Sequence, residues 1–301
     1  MQYNEVFAGR ETVTLVEMCG LNMALKIQNA KDPFSRFFFN IPYKLGMKKH
    51  YKAHWIIDQF LLKTLLQIYE KRYEEFDENI KATNIMDMMC CHNKKCAKNG
   101  NKAEMFGEQV IYKTIQAFFG AGYETALSAS ISGLMWMAQN HQDWIERVRN
   151  EGISTMDEIL NNDALGLCYK EILRLYNPGP HSFPRVLIND VQIQGVQFKK
   201  GDRVIVCTSI NKWDNKYIKA KEFRPERFET EVPKLQKLDY IPFFEGKRKC
   251  IGYNLANFQI RFMTGYMMSK YELKVDKDYQ IRMGGGGTFQ TLNPTIEIKL
   301  K

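Results

Sequence analysis

Apolar residues recur every three or four positions along the first half of the chain and give way to alternation in the second. From Met1 to about Glu75 the pattern is mostly helical. A loop at NAKDP and an aromatic run, FSRFFFN, interrupt it before the strongly periodic stretch HWIIDQFLLKTLLQIYEKRYEEF. Small, polar and basic residues then take over in MMCCHNKKCAKNGNKAE, so 86–104 is predicted to be a surface loop. A long helix is expected from about Glu104 to Asn140, with Ile111, Ile115, Phe118, Gly122, Thr125, Ala129, Gly133 and Trp136 forming one buried stripe. A further helix from Asn162 to Tyr176 is stopped by NPGP, because proline and glycine do not continue a helix. RVLINDVQIQGVQFKKGDRVIVCTS alternates around turn signals at Asn189-Asp190 and Lys200-Gly201-Asp202 and predicts strands. A last helix follows Cys250, and RMGGGGTFQTLNPTIEIKL predicts a hairpin. The fold class expected is mainly α with small β-sheets, without internal repeats.

Composition narrows the roles. A chain of 301 residues with 45% hydrophobic and 26% charged positions can bury a large core, as one big domain or two smaller ones. No run approaches the roughly 18 apolar residues that suggest a membrane span, and the start, MQYNEVFAGRETV, does not read as a signal peptide. Seven irregularly spaced cysteines do not form a disulfide framework and point to a reducing compartment. The net charge of +9 points to an acidic protein partner or an anionic membrane surface. Nucleic acid is not the partner expected, since the lysines are scattered and no RNP-like, zinc-finger or basic-zipper pattern accompanies them.

The segment FFEGKRKCIG sets Cys250 among Lys247, Arg248 and Lys249 and between two glycines. Positive charge lowers a thiol's pKa, and the thiolate is the form that binds metals. Phe243, Gly246, Arg248, Cys250 and Gly252 fit F-x-x-G-x-R-x-C-x-G, which resembles the signature loop of the cytochrome P450 superfamily. Three further matches fall in the order that family requires. Glu171 and Arg174 resemble its E-x-x-R pair, one helical turn apart, and Arg227 in PERF resembles the residue that closes a buried triad with them. AGYET, with Gly120 just before it, resembles the oxygen-binding groove of the distal helix; Ala126 stands where many members carry a second hydroxyl residue. Read without that resemblance, the two glycines indicate a helix packed closely on a neighbour.

The resemblance implies a cytochrome P450 fold over the C-terminal two-thirds of such a protein and a haem-thiolate monooxygenase. Cys250 is then the axial ligand of haem b (iron protoporphyrin IX). Arg248 and Arg185 match positions that hold the haem propionates, while Glu124 and Thr125 match a proton relay. Glu171, Arg174 and Arg227 take structural roles. Phe118, Phe119, Phe183 and Phe289, with the turn at Gly284–Gly287, match the place of a small apolar organic substrate. Electrons are expected from an NADPH-dependent reductase or other donor, docking on the basic face of Lys247 and Lys249. Residues 1–301 are expected to form one haem-thiolate domain lacking the family's N-terminal anchor and early helices. If that anchor exists in a longer form, the expected location is the cytosolic face of the endoplasmic reticulum membrane. The alternative expectation is a truncated, non-catalytic relative with weak or no haem binding.

Competing readings of other segments fail on spacing. CCHNKKC crowds its ligands into one stretch with no second pair elsewhere, which disfavours zinc. His50 and His54 lack the glutamate of a zinc-protease helix, and the glycines from Gly284 lack the following G-K-[ST] of a phosphate loop. His181 is read as a surface or pocket residue.

Overall fold

The computed structural model describes residues 48–301 apart from 78, 80, 235, 236 and 285–287; the side chains of 48–59, 210, 212, 234 and 237 also lie outside the description. The expected helices, loop and aromatic run before residue 48 therefore fall outside the described residues, as do the side chains of His50 and His54 and most of the glycine turn. The chain divides into two compact units, Met1–Ala121 and Gly122–Lys301.

In the first unit α1 (Lys48–Glu75) and α2 (Ile85–Lys98) pack together. Tyr69, Phe76, Met89, Cys90 and Ile111 form their core. The predicted surface loop at 86–104 is thus corrected: most of it is α2, followed by a short 3-10 turn at Lys102–Glu104. The physical reason is that Met89, Asn93 and Cys96 recur at helical spacing and are buried, while the polar residue types around them hide that period. Asn84 caps the helix by accepting from the Asp87 amide at 2.9 Å. Asp87 in turn receives Arg72 Nε at 2.7 Å, which holds its carboxyl below the usual carboxylate range. Cys90 lies in the core, and burial raises its thiol pKa.

In the second unit α3 (Glu108–Asn140) contributes its C-terminal half, from Gly122. It is followed by α4 (Gln142–Asn150), α5 (Met156–Asn161) and α6 (Asp163–Leu175). Ten of the thirteen residues of α6 are buried, which makes it the central helix of this unit. It starts where Asn162 accepts from the Leu165 amide at 2.7 Å and stops at Asn177-Pro178-Gly179-Pro180. At Gly133 α3 runs close to α6: an added Cβ would lie 2.3 Å from Ile172 Cδ1.

The alternating region forms short antiparallel pairs: β1 (Arg185–Val186) with β4 (Arg203–Val204), and β2 (Val191–Ile193) with β3 (Val196–Phe198). After a four-residue helix, α7 (Arg227–Thr230), comes α8 (Tyr253–Lys270). The tail holds β5 (Tyr271–Lys274) paired with β8 (Glu297–Leu300), and the hairpin β6 (Arg282–Gly284) with β7 (Gln290–Leu292). Mainly α with small sheets is the class observed. No helix among the described residues is long and apolar enough to cross a membrane.

Candidate functional site

The cysteine loop is closed at its base by the Cys250 amide, which donates to the Phe243 carbonyl at 2.9 Å. Within it Phe244 (φ 60°) and Gly246 (φ 83°) both take left-handed backbone, and a short 3-10 turn spans Gly246–Arg248. Gly252 is the N-cap of α8, so Cys250 stands just ahead of a helix N-terminus. Cys250 is exposed to solvent. A Cβ at residue 252 would lie 3.8 Å from the Cys250 sulfur, an ordinary van der Waals contact. Lys249 is turned to its own neighbours, 4.0 Å from the Glu245 carboxylate and 4.7 Å from the Tyr253 ring centroid, whereas Lys247 and Arg248 are exposed.

Phe243 links this loop to the interior. It packs with Ala256 against a cluster of Ala126 and Ala129 from α3, Tyr169 and Leu173 from α6, and Ile260 from α8. The residue after Thr125 and the first residue of the cysteine motif therefore share one apolar cluster. Glu124 and Thr125 themselves are half-buried. Burial raises the Glu124 pKa, and a hydrogen bond from Thr288 works against that rise. One carboxyl oxygen, Oε1, is buried with no hydrogen-bond partner among the described residues. Among the described residues, a Cβ built at Gly120 or Gly122 meets no heavy atom within 4 Å.

The structure brings Glu171, Arg174 and Arg227 together, all fully buried. Glu171 receives Arg174 Nε at 2.7 Å and Nη2 at 2.8 Å, Arg227 Nε at 3.0 Å and the Arg224 amide at 2.9 Å. Arg174 Nη1 also donates to the carbonyls of Ala220 and Asn211, and Arg227 Nη1 donates to Glu231 Oε2 at 2.8 Å. Every strongly polar group is thereby matched, as a buried ion network requires.

Arg185 lies exposed on β1, opposite Val204. Phe183 is 77% exposed and Phe289 is 36% exposed, both in the second unit. Phe118 and Phe119 belong to the first unit and are 40% and 67% exposed, so the predicted buried stripe does not hold at Phe118. His181 is exposed and bridges to Cys207.

Residue periodicity missed what holds Phe289. Its amide donates to the Pro178 carbonyl at 2.9 Å, and its carbonyl accepts from Ser128 Oγ at 2.5 Å. Ser132 Oγ meets Thr291 Oγ1 at 2.8 Å. The only local signal is that both serines lie four residues apart on α3.

Comparison with known proteins gives a consistent result. A family model described as Cytochrome P450 matches residues 11–301. Cytochrome P450 3A14 of Cavia porcellus is 25% identical over 98% of this chain and 64% of its own length. Cytochrome P450 3A12 of Canis lupus familiaris is 30% identical over 60% of this chain and 38% of its own, and the steroid 17-alpha-hydroxylase/17,20 lyase of Felis catus is 27% identical over 79% and 50%. A crystal structure of a cytochrome P450, CYP102L1, is similar in fold with a TM-score of 0.68 and 22% identity, covering 91% of this chain and 62% of that one. The chain thus spans 38% to 64% of the length of these relatives.

Proposed function

The chain belongs to the cytochrome P450 family, and on that premise we propose that it carries the haem-thiolate centre of a monooxygenase that places one oxygen atom from dioxygen into a small apolar organic substrate. The electrons come from NADPH through a partner reductase. The observation that carries this reading is Cys250, exposed at the N-terminus of α8 on a loop whose backbone is closed by Phe243.

The residues present fit haem b. Their donor set offers a soft sulfur for iron on an exposed cysteine and two exposed guanidiniums, Arg248 and Arg185, for carboxylates. Bound there, haem supplies oxygen activation, which the electron-rich sulfur favours. Cys250 would hold the haem iron through its sulfur. Glu124 holds a proton at its carboxyl and Thr125 passes it at its hydroxyl. Phe183 and Phe289 offer apolar surface to the substrate. Glu171, Arg174 and Arg227 fix the C-terminal end of α6 to the segment 211–231 and take no chemical part. Lys247 and Lys249 give an acidic electron donor a basic face.

The test is haem uptake and the reduced carbon-monoxide spectrum of the chain and of Cys250→Ser. The chain is expected to show the thiolate Soret position and the variant to lose it, because a serine hydroxyl does not ionise at neutral pH. An unchanged spectrum in the variant, or no haem uptake by the parent, overturns the proposal.

A further inference from the structure

The chain turns back on α2 just after that helix ends. The Asn101 amide donates to the Cys96 carbonyl at 2.9 Å, and the 3-10 turn Lys102–Glu104 follows. Asn93, buried on α2, clamps what comes next: its Oδ1 accepts from the Phe106 amide at 2.7 Å, and its Nδ2 donates to the Phe106 carbonyl at 3.0 Å and to Tyr69 Oη at 2.9 Å. The Phe106 ring also packs on His92, with centroids 4.4 Å apart. These contacts fix the backbone carbonyl of Glu104 beside α2.

Three donor atoms meet there. His92 Nε2 lies 3.5 Å from Cys96 Sγ and 3.0 Å from the Glu104 carbonyl oxygen. His92 and Cys96 are four positions apart, which puts both side chains on one face of the helix. Cys96 is buried and His92 half-buried. The ring nitrogen carries either a proton or a lone pair. Protonated, it serves the carbonyl and offers the thiol hydrogen no acceptor. Unprotonated, it takes that hydrogen and faces the carbonyl oxygen at 3.0 Å with no hydrogen between them. Neither arrangement suits all three atoms, whereas one cation among them does.

We propose that His92 Nε2, Cys96 Sγ and the Glu104 carbonyl form a binding site for a borderline-soft divalent ion of the zinc class. Zinc lies about 2.3 Å from sulfur and about 2.0 Å from imidazole nitrogen, so a tetrahedral angle sets the two donors about 3.5 Å apart. The observed separation is 3.5 Å. No three metal-ligating side chains gather among the described residues, so the third ligand is the backbone oxygen, and water takes the fourth position on the exposed side at Glu104. CCHNKKC by itself lacks a second ligand pair; the folded turn supplies an oxygen in its place. On binding, Cys96 gives its thiol proton to solvent, sulfur and ring nitrogen each donate a lone pair, and the ring keeps its proton on Nδ1. The ion ties α2 to the turn after it and is independent of the haem-thiolate reading.

The test uses cobalt(II), which occupies zinc sites and is coloured, added to the full chain carrying Cys250→Ser so that the exposed Cys250 does not compete. One cobalt per chain is expected, with a thiolate-to-cobalt charge-transfer band and the visible bands of a four-coordinate ion, all erased by zinc. Adding His92→Gln or Cys96→Ser is expected to weaken cobalt binding at least about tenfold. Zinc is expected to raise the melting temperature when both ligands are present and in neither of those variants. His181→Gln, which alters the bridge partner of the exposed Cys207, is expected to leave cobalt binding unchanged. Absence of the charge-transfer band, undiminished affinity in His92→Gln, or loss of the band in His181→Gln overturns the proposal.

Discussion

Replacing Glu171 with glutamine keeps the side chain's shape and removes one buried negative charge. In the parent, Glu171 and Glu231 together balance Arg174 and Arg227. Arg227 keeps Glu231 Oε2 at 2.8 Å in the variant, so the uncompensated charge falls on Arg174. That guanidinium retains the carbonyls of Asn211, Ala220 and Glu222 at 2.7 to 3.2 Å, which solvate it only in part. Removing one partner of a buried pair typically costs about 3 to 5 kcal/mol. Against a total stability of about 5 to 15 kcal/mol, this removes a large fraction of what holds the unit together. For a unit the size of Gly122–Lys301, each kcal/mol moves the melting temperature by about 2 to 4 °C, so the expected fall is about 6 to 20 °C. Circular dichroism melting of parent, Glu171→Gln, Arg174→Met and the double variant gives the answer. Because the double variant removes the stranded charge along with its partner, its loss should be smaller than the sum of the two single losses. A Glu171→Gln variant melting within about 2 °C of the parent, or strictly additive losses, would refute the charge-network reasoning.

Gly133→Ala sets a gain in helix propensity of about 1 kcal/mol against a Cβ 2.3 Å from Ile172 Cδ1. Ile172 is buried and cannot swing away, so overpacking of about 1 to 3 kcal/mol is expected to win, and adding Ile172→Val, which deletes Cδ1 but leaves Cγ1 2.9 Å from the new Cβ, should recover part of the loss in thermal melts. Burial lowers the pKa of His141, which packs 4.7 Å from the Phe223 ring. The folded state then binds fewer protons than the unfolded one below about pH 6.5, so stability is complete above that value and falls as pH drops through it toward the folded pKa. Denaturant midpoints measured from pH 7.5 to 5 should decline in the parent and flatten in His141→Gln; parallel slopes would remove His141 as the cause.

What was legible in the chain depended on how far apart the interacting residues lie. The Glu171–Arg174 pair is one helical turn, and α6 between Asn162 and the NPGP stop needed only local capping and chain-breaking chemistry. Arg227 required the resemblance, because nothing nearby says that a guanidinium 56 residues away shares Glu171 Oε1. The α2 helix failed for a different reason. Burial at 89, 93 and 96 is helical, but one of the buried positions is an asparagine, held by Tyr69 Oη at 2.9 Å and by the Phe106 backbone.

The same confusion of polarity with exposure hid the face of α3 that matters most. Ser128, Ser130 and Ser132 are all buried, although a reading by hydrophobic stripe places Thr125, Ala129 and Gly133 inside and says nothing of the serines between them. Ser130 satisfies itself by donating to the Ala126 carbonyl at 2.8 Å within the helix. Ser128 and Ser132 instead reach partners 161 and 159 residues later. A buried hydroxyl is tolerable only when it is paired, so each of these serines implies a partner without naming it. That partner is the strand next to Phe289, which makes the position of an aromatic side chain proposed to face the substrate depend on two serines of the helix proposed to deliver protons.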